Sequence, residues 1–348
     1  MKVLHLMAGA DAGGAERFFG RLAVALNAAG VEQEFVIRPN AEREKILSSE
    51  GLLFETARFG GAFDFFMTRF KINRVIDRTH PDIVLSWMNR ATQHCPRPGS
   101  GHKFGHIGTP RGYYDPKYYR HCDHLVVTTE DLKKFYMDAG FAADTISVIQ
   151  NFVPDVQESP VSRREFDTPD EVPLLLALGR LHENKGFDTL IRSMASLPEH
   201  FLWIGGDGAL RGDLETLSNE CGVADRVRFL GWQNNTAGLY AASDIFVCSS
   251  RHEPFGNIII EAWMHGVPIA AAASEGPAQL LKDGETGLLC GVDDADGLAV
   301  AIRRLDEGAL AERLAHAGCA AYEAGYSDKA VVPLYLEVFE KVAARCAA

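Results

Sequence analysis

The sequence predicts an α/β protein of two domains, each a mostly parallel sheet wrapped by helices. Three observations predict it. Short apolar runs alternate with stretches of helical spacing in both halves of the chain, the pattern of repeated βα units. The 348 residues are enough for two ordinary cores. Between the two series, 156–172 is polar, proline-bearing and aperiodic, and reads as a linker.

In the first series, strands are expected at 3–7, 34–37, 82–87, 104–108, 125–129 and 146–149, each a short run of β-branched, aromatic or other apolar residues. Amphipathic spacing places helices near 14–29, 66–79 and 130–139. In the second series, strands are expected at 174–178, 201–204, 227–230, 245–248 and 269–272, with a helix over 187–195. Apolar spacing predicts a final helix over 331–344. Expected boundaries are therefore 1–155, a linker at 156–172, 173–325, and a terminal segment at 326–348.

Composition bounds the class. Hydrophobic residues at 47% and charged residues at 24% suit a soluble globular chain. No apolar run approaches the ~20 residues of a membrane helix, and the N-terminus enters a strand pattern with no signal-peptide cleavage site. Seven cysteines, scattered without CxxC pairs, read as free thiols of a reducing cytoplasm. The net charge of −12 is uneven: residues 1–150 hold 19 Lys/Arg against 17 Asp/Glu, and the remainder 16 against 30. An acidic chain argues against nucleic acid as a partner, while the less acidic first half leaves room for an anionic acceptor or membrane surface.

The most informative segment runs from Glu253 through Pro254, Phe255, Gly256 and Asn257 to Glu261. An apolar strand precedes it. Pro254 and Gly256 force a turn, and Asn257 is expected to cap the helix that carries Glu261. A helix N-terminus between two carboxylates offers amides and a positive dipole end to an anion, with the carboxylates free to accept sugar and ribose hydroxyls. Gly13-Gly14-Ala15-Glu16-Arg17, Gly179-Arg180 with Lys185-Gly186, and Ile204-Gly205-Gly206-Asp207-Gly208 also fall just after predicted strands. Ligands of open α/β sheets bind at those carboxyl ends.

These segments together resemble the retaining nucleotide-sugar glycosyltransferases of the GT4 family, among them enzymes of bacterial lipopolysaccharide-core and other cell-surface glycan synthesis. The resemblance runs from residue 2 to the end of the chain. It implies the GT-B fold, two Rossmann-like domains facing each other across a cleft. The first would be the acceptor side, the second would bind the nucleotide sugar, and the last helix would pack back on the first.

The resemblance also implies roles. Arg180 and Lys185 correspond to a diphosphate-binding pair, Gly13 and Gly14 to a loop facing the donor phosphates, and Glu261 to a ribose ligand. Glu253 would meet the donor sugar, and Phe255, Gly256 and Asn257 would offer amides to sugar and phosphate. Arg228 and Phe229 lie where backbone groups meet the base. On the acceptor or donor-sugar side stand Asn89, Arg90, His106 and Arg111, with Arg111 at the position where many relatives have histidine; His106 reads equally as core residue or ligand. Gln279 replaces a usual glutamate. The resemblance implies that cationic side chains and helix dipoles, in place of a divalent metal, stabilise the departing diphosphate, so no metal and no cofactor beyond the nucleotide-sugar substrate is expected.

The expected activity is retaining transfer of a hexose or heptose from a UDP-, GDP- or ADP-linked donor to a glycan or glycolipid. A non-catalytic nucleotide-sugar-binding module and an epimerase on the same fold are the alternatives. Peripheral attachment to the cytoplasmic face of a membrane is also expected, from two aromatic and cationic segments. One is 63–71, with Phe63, Phe65, Phe66 and Phe70 beside Arg69 and Lys71. The other is 103–121, with Tyr113, Tyr114, Tyr118 and Tyr119 among Lys103, Arg111, Lys117 and Arg120.

Overall fold

The computed structural model describes residues 1–10, 13–97 and 103–347. The chain forms two compact units, one made of Met1–Pro154 with Asp328–Ala348, the other of Asp155–Ser327.

The first unit holds strands β1 (Lys2–Met7), β2 (Glu32–Ile37), β3 (Leu53–Thr56), β4 (Ile83–Trp87), β5 (Gly105–Thr109), β6 (His124–Val127) and β7 (Ile146–Val148). Its helices are α1 (Gly14–Ala28), α2 (Ala41–Ser49), α3 (Ala62–Thr79), α4 (Met88–His94) and α5 (Glu130–Asp138). The strands form one parallel sheet in the order β3-β2-β1-β4-β5-β6-β7. Strand order reverses between β1 and β4, which opens a crevice beyond their carboxyl ends. β1 shows how the sequence covers both faces. Val3 and Met7 enter the cluster containing Phe18, Phe19 and Leu22 of α1, whereas Leu4 and Leu6 enter the one containing Ile72, Val75 and Ile76 of α3.

The second unit holds β8 (Leu174–Leu178), β9 (Phe201–Gly205), β10 (Val227–Gly231), β11 (Ile245–Cys248), β12 (Ile269–Ala272) and β13 (Leu288–Cys290). Its helices are α6 (Phe187–Ser193), α7 (Arg211–Glu220), α8 (Thr236–Ala242), α9 (Asn257–Met264), α10 (Glu275–Leu280), α11 (Ala295–Leu305) and α12 (Gly308–Gly325). The sheet order is β10-β9-β8-β11-β12-β13, again parallel, with its reversal between β8 and β11. Leu175, Ala177, Leu190, Ile191, Leu202, Ile204 and Ile302 are among its core residues.

The last helix, α13 (Asp328–Ala347), belongs to the first unit. Tyr335, Val338, Phe339 and Val342 join the core on the α1 side of the sheet, and Lys341 and Arg345 bind the carbonyl and carboxylate of Asp144 at 3.0 and 3.2 Å.

Two readings change. The 156–172 segment is part of the second unit, because Arg163 donates to the carbonyls of Ala242, Asp170 and Val172 and pairs with Asp244. The tyrosines of 103–121 are mostly core: Tyr119 is fully buried and Tyr114 and Tyr118 pack on its cluster. There Lys117 pairs with Asp115 at 2.6 Å and Arg120 donates to the Ala139 carbonyl at 2.6 Å.

Candidate active site

The loops after β8 and β11 meet at the point where strand order reverses in the second unit. After β8 the chain passes through Arg180 and a short helical turn over Glu183–Lys185, then enters α6 at Gly186. Gly186 is left-handed (φ 59°), and a Cβ there would lie 2.2 Å from the Ser249 carbonyl oxygen. Only glycine allows this contact. Hydrogen bonds join the two loops: Ser249 Oγ donates to the Lys185 carbonyl at 2.9 Å, and the Arg251 and His252 amides donate to Asn184 at 2.8 and 3.1 Å. Arg251 binds Asp188 at 2.6 Å and Asp293 at 2.6 Å. The Arg251 guanidinium holds the Asp188 carboxyl below the usual carboxylate range, and Asp188 in turn raises the Arg251 pKa.

This framework sets the Lys185 ammonium against the Glu253 carboxylate in a largely buried ion pair. Arg180, the second residue after β8, makes no side-chain ion pair or hydrogen bond among the described residues. Gly276 N donates to the Glu253 carbonyl at 2.7 Å, and the Glu253 amide donates to Glu275 at 3.2 Å, fixing the backbone that carries the carboxylate. The other Glu275 oxygen meets His252 Nδ1 at 2.7 Å, and bonds to backbone amides, its own first, lower the Glu275 pKa. Sequence reading missed Glu275 because its partners lie 22 and 23 positions away; its place in the first turn of α10 was the only local signal.

The expected cap of α9 is corrected. Gly256, left-handed at φ 90°, occupies the N-cap with no side-chain hydrogen bond, and Asn257 is the first helical residue. A left-handed residue favours glycine, and its place at the cap displaces the asparagine by one position. Asn257 Oδ1 is left buried without a hydrogen-bond partner, beside first-turn amides that no side chain caps. Glu261 sits one turn further along α9. Tyr240 of α8 donates to the Ile258 carbonyl at 3.1 Å and faces Glu261; burial, then the Glu261 charge, hold its pKa well above that of an ordinary phenol. Sequence analysis did not single out Tyr240, which stands in an apolar helix with core spacing.

The side chain of Arg228 is engaged elsewhere. It lies near the start of β10, paired in register with Trp203, and its guanidinium donates to the carbonyls of Phe166, Asp167 and Asp225 at 2.8–2.9 Å. Phe229 packs against the core.

In the first unit, Gly13 precedes α1 and Gly14 begins it. Residues 11 and 12 lie outside the described part. Glu16 already serves this loop, its carboxylate accepting the Ala10 amide at 2.8 Å, so an anion arriving there would displace it. Asn89 and Arg90 open α4 just after β4; Asn89 Oδ1 accepts the Arg90 amide at 2.8 Å, and the Arg90 side chain is exposed. Met88 before them has φ 57°, a strained value for a non-glycine residue.

His106 is a core residue. Its Nε2 meets Ser86 Oγ at 2.8 Å inside the sheet, and burial lowers its pKa to about 4. Strand register puts it beside β4 rather than at the strand end. Arg111 is also spent internally. Its guanidinium lies 4.4 Å from the Phe18 ring and 4.9 Å from Trp87, and donates to Asn151 and Tyr335 at 3.0 and 3.2 Å. Among the described residues no group of three His, Cys, Asp or Glu side chains could hold a metal ion.

Comparison with known proteins fits this geometry. Residues 158–331 match the family model for glycosyl transferases group 1, and residues 12–157 the model for glycosyltransferase family 4. The chain is 37% identical over 341 residues to the lipopolysaccharide core biosynthesis glycosyltransferase LpsE of Rhizobium meliloti, covering 97% of this chain and 98% of that one. It is 36% identical to LpsD of the same organism, over 99% and 100% of the two chains. Among solved structures, its fold is similar to that of a glycosyltransferase from Rickettsia africae (TM-score 0.84, 19% identity, 98% of both chains covered). Anabaena HepE in complex with UDP and glucose gives a TM-score of 0.77 at 19% identity, over 98% and 99%. Two doubly wound parallel sheets and these full-length matches together place the chain in the GT4 family of retaining glycosyltransferases, with the GT-B fold.

Proposed function

We propose that this protein moves a hexose or heptose from a nucleoside-diphosphate donor to a sugar hydroxyl of a growing lipopolysaccharide core, with retention at the anomeric carbon. One observation carries the donor site: the Lys185–Glu253 pair across the β8/β11 reversal, with Arg180 in the same loop as Lys185 and unpaired among the described residues, and with no side chain capping α9. The full-length similarity to two lipopolysaccharide core enzymes supports the choice of acceptor.

In this reading the ion pair is the resting state, in which each charge shields the other. A diphosphate draws Lys185 and Arg180 to its oxygens, Arg as a planar fork and Lys as a point charge. Glu253, released, accepts a hydroxyl of the donor sugar, and Glu261 accepts the ribose hydroxyls. The anomeric carbon–phosphate bond breaks while the acceptor oxygen bonds to the same face. The acceptor proton passes to the departing phosphate oxygen, so no protein nucleophile is required. Arg180, Lys185 and the α9 amides stabilise the charge growing on the diphosphate.

A thermal-shift screen over UDP-, GDP- and ADP-sugars tests the site, since a bound donor raises stability by RT ln(1 + [L]/Kd). One nucleotide class is expected to stabilise the protein, and donor turnover on extracted core acceptor is expected to persist in excess EDTA. Failure of every donor to bind, or a strict and reversible divalent-metal requirement, overturns the reading.

A further inference from the structure

Helix α3 faces solvent with its apolar side. Thr68, Ile72, Val75, Ile76 and Thr79 are buried against the sheet. Phe63, Phe66, Met67 and Phe70 are 79, 73, 54 and 66% exposed. With about 100° between successive residues, these four form a single stripe roughly opposite the buried face. Single exposed apolar residues are ordinary, but a contiguous stripe of three phenylalanines and a methionine marks a surface that something covers.

The rim of the stripe is cationic. Arg58 is exposed just before the helix, Arg69 lies 5.5 Å from the Phe65 ring, and Lys71 donates to the Thr56 carbonyl at 2.6 Å. Further along, Arg74 and Arg78 are already matched by Glu55 and Glu34, so the unspent positive charge lies beside the aromatic end. A groove of about 390 Å³ opens there, lined by Arg58, Lys71, Phe63 and Met67, with Asp64 as its one carboxylate. Cationic and apolar side chains therefore adjoin. A second copy of the chain is the poorer occupant, because a two-fold contact would set Arg58, Arg69 and Lys71 against their own images. No described helix is long and apolar enough to cross a membrane, whereas an 18-residue helix with this face suits the plane of a membrane interface.

We propose that α3 is the membrane-contact element: Phe63, Phe66, Met67 and Phe70 enter the acyl boundary of an anionic bilayer, and Arg58, Arg69 and Lys71 meet its headgroup phosphates. This stands on the surface chemistry of α3 and goes beyond the proposed reaction. The earlier expectation divided membrane contact between two segments. The buried tyrosines of the second leave the contact to α3.

Flotation of the full-length protein with vesicles of phosphatidylglycerol and phosphatidylcholine, or of phosphatidylcholine alone, tests it. The wild type is expected to float with the anionic vesicles at low salt and to be released at high salt. Phe66→Ser with Phe70→Ser should lower the bound fraction at least about tenfold, since burying one phenylalanine is worth that factor or more. Arg58→Glu with Arg69→Glu should abolish the preference for anionic lipid. Wild-type protein that stays soluble with every vesicle, or a serine variant that floats undiminished, overturns the proposal. So does a wild-type dimer in sedimentation equilibrium that the serine substitutions dissolve, which gives the face to a second copy. Donor turnover in solution, measured on the same variants, separates this outcome from a failure of the glycosyltransferase reading.

Discussion

Lys185 and Glu253 neutralise each other in a largely buried setting, so replacing one acts on both. Lys185→Ala is expected to keep the fold and to lower kcat on the order of 10²-fold or more, the usual cost of one preorganised charge contact at a transition state. Glu261→Ala is expected to act mainly on donor affinity, as its proposed role at the ribose requires. Steady-state kinetics beside a melting curve check both, and near-wild-type kinetics for either removes the assignment. A second set of residues governs stability. His5 and His106 are buried, and desolvation lowers their pKa values to about 3 and about 4, from 6.5. Both are therefore neutral in the folded protein. Their contribution is complete above the unfolded value of 6.5 and is lost as pH falls from there towards the folded values, costing about 2 kcal/mol each by pH 5. Urea melts between pH 7.5 and 5 should show this decline, and His5→Phe should flatten it; a profile that stays level through that range contradicts the assignment of neutral buried imidazoles. Residue identities marked Arg180, Lys185 and Glu253 as candidates, because each stands beside a glycine or proline in a loop after a strand, and Glu261 by its spacing from Glu253. They could not reveal that Arg228 and Arg111 are spent on structure. The partners that occupy those cations, such as the Phe166 carbonyl and Tyr335, lie 62 and 224 positions away.

At the scale of elements, the turn before α9 aims the site. Gly256→Ala puts a side chain on a left-handed residue, at roughly 1–2 kcal/mol, and brings its Cβ to 3.2 Å from Leu280 Cδ1. Lower kcat/KM is expected together with a modest fall in melting temperature. Gly256→Asn should recover part of both, because asparagine tolerates this conformation; an alanine variant with unchanged kinetics shows that the turn does not position Glu253. The long βα units were readable because their apolar runs and helical spacing are strong. β3 and β13 were not: half of β3 is Glu55 and Thr56, and β13 is three residues between Gly287 and Gly291. The buried face of α3 was foreseeable from its spacing. Its aromatic side was expected at a surface from the phenylalanines beside Arg69 and Lys71, and Phe63, Phe66 and Phe70 are exposed. The 103–121 tyrosines show the opposite: beside lysine and arginine in sequence, they are claimed by a local core around Tyr136.

For the whole molecule, α13 matters most. Val331, Val332, Tyr335, Val338, Phe339 and Val342 are at most 7% exposed, and all lie in the core of the first unit. A chain ending at Ser327 strips that cover from α1 and the sheet. It is expected to lose the cooperative unfolding of the first unit while the second keeps its own transition, as calorimetry or hydrogen exchange resolves; two intact transitions would show that α13 is dispensable. The two-domain division was visible in the sequence as two strand series, and the segment after 155 was misjudged because its polar side chains bind distant carbonyls. The return of α13 to the first unit also orders events during synthesis. Residues 1–154 leave the ribosome well before the helix that completes their core, and residues 155–327 must emerge in between. The domain translated second is thus the first that can finish folding, and the domain translated first waits, with part of its apolar face open, for the twenty residues of α13. That interval is when nascent protein most needs a chaperone, and mutations that weaken α13 should lower the yield of folded enzyme in cells more than they lower the activity of the molecules that succeed.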